Sequence, residues 1–305
     1  MSGERTSELE RVGLLRRVFG DGGVRLGIGD DAAVLDVGAG ALVWTVDACV
    51  EGTHFRRELL EWEDLGWKSF MAAASDLAAM GASPLGALSS LVLTDDVDDA
   101  ALSALARGQA AASRAVGAPV VGGNLARGRE TSITTTVLGR AERPIARSGA
   151  RAGERLLVAG ALGHAAAGHA ALIAGDAKSP HVTAWRRPRA RIEDGLAMAA
   201  AGASAAIDVS DGLARDVGHI AAASGVRCVL DENALLAERV ELEHVLSGGE
   251  DYALVVSASM EIPGFRVIGS VEEGAGVVLR DRAGRAHPLE AGGFDHFASP
   301  GGTVP

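Results

Sequence analysis

The chain has little cysteine, little lysine and few aromatic residues, and each shortage excludes something. Two cysteines, Cys49 and Cys228, are spread over 305 residues. They are too few and too far apart for a disulfide framework or a cysteine metal site, and neither lies in a Cys-x-x-Cys pair. Both read as buried thiols in a reducing compartment. Lysine occurs only at Lys68 and Lys178 among 29 basic residues, against 40 acidic ones, for a formal charge of −11. So acidic a chain, without a basic run or interleaved aromatic and basic residues, excludes nucleic acid as a partner. No stretch approaches the roughly 18 consecutive apolar residues of a membrane span. The opening MSGERTSELERVGLLRRVFG is charged and lacks the apolar core of a secretory signal. The expectation is a cytoplasmic protein with no membrane contact. No G-x-x-x-x-G-K-[ST] occurs, which excludes a P-loop enzyme.

What is present is alanine, glycine and aspartate. Apolar residues make up 48% of the chain but aromatics only 4%, so the interior is built from small side chains on closely approaching elements. The length suits two domains, and strands and helices alternate, which predicts an α/β (α+β) protein. Helices are expected over 7–19, 63–81 and the stretch following TDDVDD, with strands at 41–50, 85–94, APVVGG and 131–140. The run ALVWTVDACV (41–50) reads as a buried strand that carries one charge, Asp47. In the helix 63–81, Trp67, Phe70, Met71, Ala74, Leu77 and Ala78 share one face, with Lys68, Ser75 and Asp76 well away from it and Gly81 as the stop. A basic, glycine-containing stretch, 143–154, marks the boundary, giving domains 1–145 and 146–305. A second alternation follows, with strands at 155–159, 205–209 and 226–230 and helices at 163–174, 189–202 and 212–224.

The acids carry the chemistry. Asp30 and Asp31 follow the Gly-x-Gly of GIGDDAAVLD, Asp47 interrupts a strand, Asp76 lies on a helix, and AIDVSDGL supplies Asp208 and Asp211 where a strand runs into a helix. Strand ends and helix starts are where α/β folds build sites. Plainer roles exist for each: Ser210 or Asp211 as a helix N-cap, Asp30 and Asp31 as turn formers, Asp76 as a solvated residue. Asp47 is harder to dismiss, because an unpaired charge in an apolar strand is expensive. If these acids converge, two unit charges about 4 Å apart repel by about 4 kcal/mol at an effective dielectric near 20. Oxygen donors without clustered His or Cys point to a hard cation, Mg2+ above all, shared with phosphates. GIGDDA also matches the G-x-G-x-x-A of a dinucleotide fold, but it would set two acids against the pyrophosphate.

VVGGNLARG (120–128) and LSGGEDYAL (246–254) each place Gly-Gly after an apolar run, an arrangement that suits either a structural turn or backbone amides cupped around an anion. Arg147 is a candidate for phosphate charge or for a salt bridge between domains.

Taken together, GIGDDAAVL, WTVDACVEGTHF, WKSFMAAASDLAAMGASP, VVGGNLARG, AIDVSDGLARDVGHI, LSGGEDYAL and GGFDHF stand in the order found in the thiamine-monophosphate kinase family, which this chain resembles over nearly its whole length. SDLAAMGA and SGGEDY are the more specific pieces. GIGDD and SDGL recur in the wider superfamily with aminoimidazole ribonucleotide synthetase, selenophosphate synthetase and the hydrogenase-maturation protein. The resemblance implies a two-domain fold like that of aminoimidazole ribonucleotide synthetase. It implies transfer of the ATP γ-phosphoryl to thiamine monophosphate, N-terminal domains paired in a homodimer, and ATP in a cleft between the domains. It carries over Asp31, Thr45, Asp47, Asp76, Asp208 and Asp211 as holders of several Mg2+ ions. Gly123, Asn124, Arg147 and Ser210 become nucleotide contacts, and His54, Glu250 and Phe294 become contacts for thiamine monophosphate.

The chain departs from the family pattern at two points. Asn124 stands where an acid usually follows the Gly-Gly, and Val46 where a hydroxyl often precedes the strand aspartate. Within the superfamily, the thiol chemistry of the selenophosphate and hydrogenase-maturation enzymes does not fit, since Cys49 lies in a strand and the terminal GGTVP has no thiol.

Overall fold

The computed structural model describes residues 8–20 and 41–289, which form two compact units, one of residues 8–20, 41–77 and 83–142 and the other of 78–82 and 143–289. GIGDDAAVLD and GGFDHF, with Asp31 and Phe294, lie outside the described residues. Among those described, no helix is long and apolar enough to cross a membrane.

The first unit contains α1 (Glu8–Phe19), β1 (Ala41–Val50), α2 (Trp62–Ala79), β2 (Ser83–Leu93), α3 (Asp99–Val116), β3 (Val120–Arg127) and β4 (Ser132–Ala141). Its sheet runs β1-β4-β2-β3, antiparallel except where β3 returns beside β2 through α3. Asp98 caps α3 by accepting the Ala101 N–H at 2.8 Å, and Gly117 ends it at φ +75°. The two long helices meet at glycines: a Cβ on Gly66 would stand 2.0 Å from the Leu105 carbonyl oxygen, and one on Gly108 would stand 1.9 Å from that of Glu63. Without those glycines the backbones could not come so close.

Two expectations are corrected here. β1 is an edge strand whose alternate residues face outward, with Leu42, Trp44 and Val46 exposed at 54%, 73% and 64%. The helices cover only the other face, so an apolar run that reads as buried is half open. Conversely, Lys68 and Ser75 are fully buried, because α2 is enclosed on nearly all sides.

The second unit holds β5 (Arg155–Ala159), α4 (His164–Ile173), α5 (Val182–Arg186), α6 (Ile192–Ala200), β6 (Ala205–Asp208), α7 (Leu213–Ser224), β7 (Arg227–Asp231), α8 (Glu232–Leu235), α9 (Leu242–Ser247), β8 (Leu254–Ala258), β9 (Arg266–Glu272), β10 (Gly276–Arg280) and β11 (Ala286–Leu289). The short helices α5, α8 and α9 have no counterpart in the sequence reading. Its sheet is β11-β10-β7-β9-β5-β8-β6. A core of Leu156, Val158, Ile207, Leu213, Val217, Ile220, Leu230, Val255 and their neighbours is sealed under α7. Both Cys49 and Cys228 are buried free thiols, as expected. The protein is a mixed α/β fold with two sheets, of the architecture expected from the sequence.

Candidate functional site

In the first unit, the strand alternation decides what faces the helices. Val43, Thr45, Asp47 and Cys49 point inward toward α2, with Val43 and Cys49 buried. Thr45 Oγ1 donates to Asp76 Oδ2 of α2, so two expected site residues 31 positions apart meet directly. Asp47 is half-buried, and its Oδ1 accepts the Ala48 N–H at 2.7 Å. Asp47, Thr135, Ser89 and Gly123 form one cross-strand row. Ser89 donates to Gln109 at 2.9 Å beneath it. A Cβ on Gly123 would stand 1.8 Å from the Ser89 carbonyl oxygen, which gives this glycine a structural reason independent of any ligand. Asn124 lies in the neighbouring row with Ala48, Thr134 and Ser90, so its side chain stands on the sheet face opposite to Asp47 and is exposed. His54 closes the turn after β1, where its Nδ1 accepts the Val50 N–H at 3.1 Å and therefore leaves the ring proton on Nε2.

In the second unit, the site residues are gathered by loops. Asp208 is buried at the end of β6. Beyond it, the N–H groups of Ser210, Asp211 and Gly212 all donate to Asp216 Oδ2, at 3.0, 3.1 and 3.1 Å. Asp216, one turn into α7, thus folds the SDG segment over the helix start. Gly212 turns at φ +126°, and a Cβ there would meet the Ser247 backbone at 2.9 Å. The SGGED segment docks alongside: the N–H of Glu250 donates to Ser210 O, and that of Tyr252 to Val209 O, both at 2.9 Å. A Cβ on Gly249 would stand 2.2 Å from Ser210 O. Ser210, Asp211, Asp208 and Glu250 therefore share one end of the second sheet.

The electrostatics there are strongly local. Burial pushes the Asp216 carboxyl up to about 7, helped by the carboxylates of Asp208 and Asp211 and opposed by the amides it accepts. Positive charge stands close by. Arg215 lies 3.6 Å from Asp211. His219 is held below its ordinary value by burial and then by Arg147 and Arg215. The exposed Arg147 is thus beside the α7 face rather than isolated in a linker. Such a mixture of carboxylates and arginines suits a phosphorylated ligand accompanied by cations, while the backbone amides at the helix start are already taken by Asp216.

Two further residues organise this end and were not singled out by the sequence. Trp185 of α5 donates from Nε1 to Glu250 Oε2 at 2.6 Å. Asp251 accepts the N–H groups of Gly163, through Oδ2, and of Ala165, through Oδ1 at 2.8 Å, at the start of α4. Burial pushes its carboxyl up to about 7. The SxxxxxD spacing from Ser210 to Asp216 hints at the loop clamp, whereas nothing in the order of residues points from Trp185 to Glu250. Among the described residues, no three His, Cys, Asp or Glu side chains are grouped so as to hold a metal ion.

Residues 29–141 match the family model described as AIR synthase related protein, N-terminal domain. The chain is 38% identical over 278 residues to the thiamine-monophosphate kinase of Mycobacterium tuberculosis, covering 85% of this chain and 82% of that protein. Among solved structures it is similar to the thiamine-monophosphate kinase of Stenotrophomonas maltophilia K279a, with a TM-score of 0.78, 30% identity and coverage of 92% and 96%. It is likewise similar to AaThiL complexed with AMPPCP and TMP, with a TM-score of 0.77, 29% identity and coverage of 97% and 100%.

Proposed function

Because the chain belongs to the thiamine-monophosphate kinase family, we propose that it transfers the γ-phosphoryl group of ATP to the phosphate of thiamine monophosphate. The products are thiamine diphosphate and ADP. The observation that carries this reading is sequence identity extending over both units to enzymes of that name, joined by a relative that was solved with a nucleotide analogue and TMP.

Asp31, Thr45, Asp47, Asp76, Asp208 and Asp211 are the residues proposed to hold Mg2+. The donor chemistry fits: every one offers oxygen, and carboxylates that come singly or in pairs suit an ion that completes its shell with water and phosphate. When bound, Mg2+ screens the negative charge on donor and acceptor phosphates and on the group in transfer. The chain's own residues do the remaining work. Gly123, Asn124, Arg147 and Ser210 contact the nucleotide, with the Arg147 guanidinium and the Ser210 hydroxyl offering donors to phosphate oxygens. His54, Glu250 and Phe294 contact thiamine monophosphate, Glu250 facing its cationic ring system and Phe294 its ring plane. The acceptor phosphate is already ionised near neutral pH, so no side chain has to remove a proton. Transfer is direct and in line, without a phosphoenzyme, and its rate comes from orientation.

In this reading the domain 1–145 supplies ATP, Mg2+ and dimer contacts, and 146–305 completes the nucleotide and substrate contacts. The homodimer forms through the first sheet. Its support is the open face of β1, where Leu42, Trp44 and Val46 are exposed beside Thr136, which accepts the Trp44 indole N–H at 2.6 Å. A cytoplasmic location accords with two free, buried thiols.

The test is ADP release in a coupled assay with and without thiamine monophosphate, with the product identified by chromatography. Turnover that requires thiamine monophosphate and yields thiamine diphosphate is expected. Turnover only with aminoimidazole precursors would transfer the chain to another activity of the superfamily, and ATP binding without turnover would make it a sensor.

A further inference from the structure

The α4 and α5 helices are packed around one indole. Gly168 of α4 has no room for a side chain, since a Cβ there would stand 2.2 Å from the His181 carbonyl oxygen. Glycine thus lets α5 settle directly on α4. One residue further, the His169 ring lies 5.0 Å from that of Trp185, the planes tilted by 33°. Trp185 is buried, and its one polar hydrogen goes to the Glu250 carboxylate at 2.6 Å, a short bond to a charged acceptor.

The segment that receives it is held in an unusual backbone shape. Glu250 and Tyr252 have φ of +64° and +50°, the left-handed region where a side chain costs about 1 kcal/mol or more. Hydrogen bonds enforce that shape from both sides. Ser210 O and Val209 O accept the N–H groups of Glu250 and Tyr252, while the intervening Asp251 accepts amides of α4. A glycine at position 250 would adopt this backbone without strain. The glutamate stands there with its carboxylate turned onto α5, where Trp185 fixes it.

We propose that Trp185 is a positioning residue for acceptor selection. Its indole N–H sets the direction of the Glu250 carboxylate, so that the anion is presented to a cationic heterocycle rather than left to rotate among rotamers. Trp185 touches no reacting atom and acts through Glu250. The inference rests on the reading above, in which Glu250 contacts thiamine monophosphate.

Trp185→Phe keeps a buried ring and removes the donor. The expected result is a KM for thiamine monophosphate raised roughly tenfold, the weight of one hydrogen bond to a charged group, with kcat and the KM for ATP held and the thermal midpoint little moved. Glu250→Gln raises the same KM at least as far, and the double variant is no worse than Glu250→Gln alone, because Trp185 acts only by orienting the charge that Glu250→Gln removes. A second readout needs no turnover. The Trp185 indole N–H proton resonance, assigned by its loss in Trp185→Phe, shifts in Glu250→Gln, which a purely space-filling indole would not show. A Trp185→Phe enzyme with wild-type KM, or an additive double variant, overturns the proposal while leaving the kinase reading intact. A wild-type chain that fails to phosphorylate thiamine monophosphate overturns both, and the indole resonance then reports separately whether the bond to Glu250 exists.

Discussion

In the first unit Thr45 meets Asp76 side chain to side chain, and both are half exposed; in the second, Asp216 takes three backbone amides and is itself buried. The strand-borne acids inherit their directions from a sheet and a helix that would exist without them. The loop-borne acids do not. Asp208 and Asp211 flank a segment whose path depends on another carboxylate, and Glu250 sits in a backbone conformation maintained by its neighbours. Regular structure thus positions one set by periodicity, and buried hydrogen bonds position the other. The first set is then separable from folding, and the second is not.

The largest effect should ignore this distinction. Asp76→Asn and Asp208→Asn are each expected to lower kcat by about a thousandfold, since each removes a charge proposed to hold Mg2+, and several kcal/mol of transition-state stabilisation translate into that factor. A loss confined to one of the two in steady-state kinetics would mean that only one unit bears metal ligands.

Stability should separate them. Asp216→Ala leaves three amides without their acceptor, and we expect a loss of about 3 kcal/mol in urea unfolding. Thr45→Val, whose partner Asp76 is only partly buried, should lose about 1 kcal/mol. Equal losses would break the contrast.

The contrast also has a pH signature at Asp251. Its carboxyl rises from 3.8 to about 7 in the folded chain because it is buried, so the folded state holds the proton more tightly than the unfolded one. The associated stability is whole below pH about 4 and is lost as pH rises toward about 7. Between pH 5 and 7.5 the wild type should therefore lose about 2–3 kcal/mol more than Asp251→Asn. Parallel slopes for the two proteins would refute the assignment.

The smallest effect belongs to the exposed edge of the first sheet. Asn124→Asp restores the charge that the family pattern usually has, but on the face opposite Asp47. It should lower the Mg2+ concentration for half-maximal rate by about threefold, the weight of a surface charge interaction. No change in metal dependence would detach Asn124 from the metal sites.

The strand that ends at Asp208 and the helix that begins at Leu213 follow from local pattern, because strand and helix periods can be read along the chain, whereas the meeting of Thr45 with Asp76, 31 positions away, is a tertiary contact. The orientation of β1 could not be read that way. Leu42, Trp44 and Val46 are apolar whether or not a second layer covers their face of the sheet, and that covering is a property of the whole fold. Lys68 and Ser75 misled for a related reason: polar type implies exposure only when no second layer covers that face of the helix.

The residues alone determined the acid-rich, lysine-poor, P-loop-free character of the protein, its α/β elements and the motifs that place it in its family, since composition and short-range periodicity need no third dimension. Only tertiary structure decided that Trp185 would find Glu250 across 65 residues, that Asp216 would shape the loop after Asp208, and that an apolar strand would show one face to water. Each depends on contacts between segments distant in sequence, where burial and hydrogen bonding select one arrangement from many that the same order of residues permits.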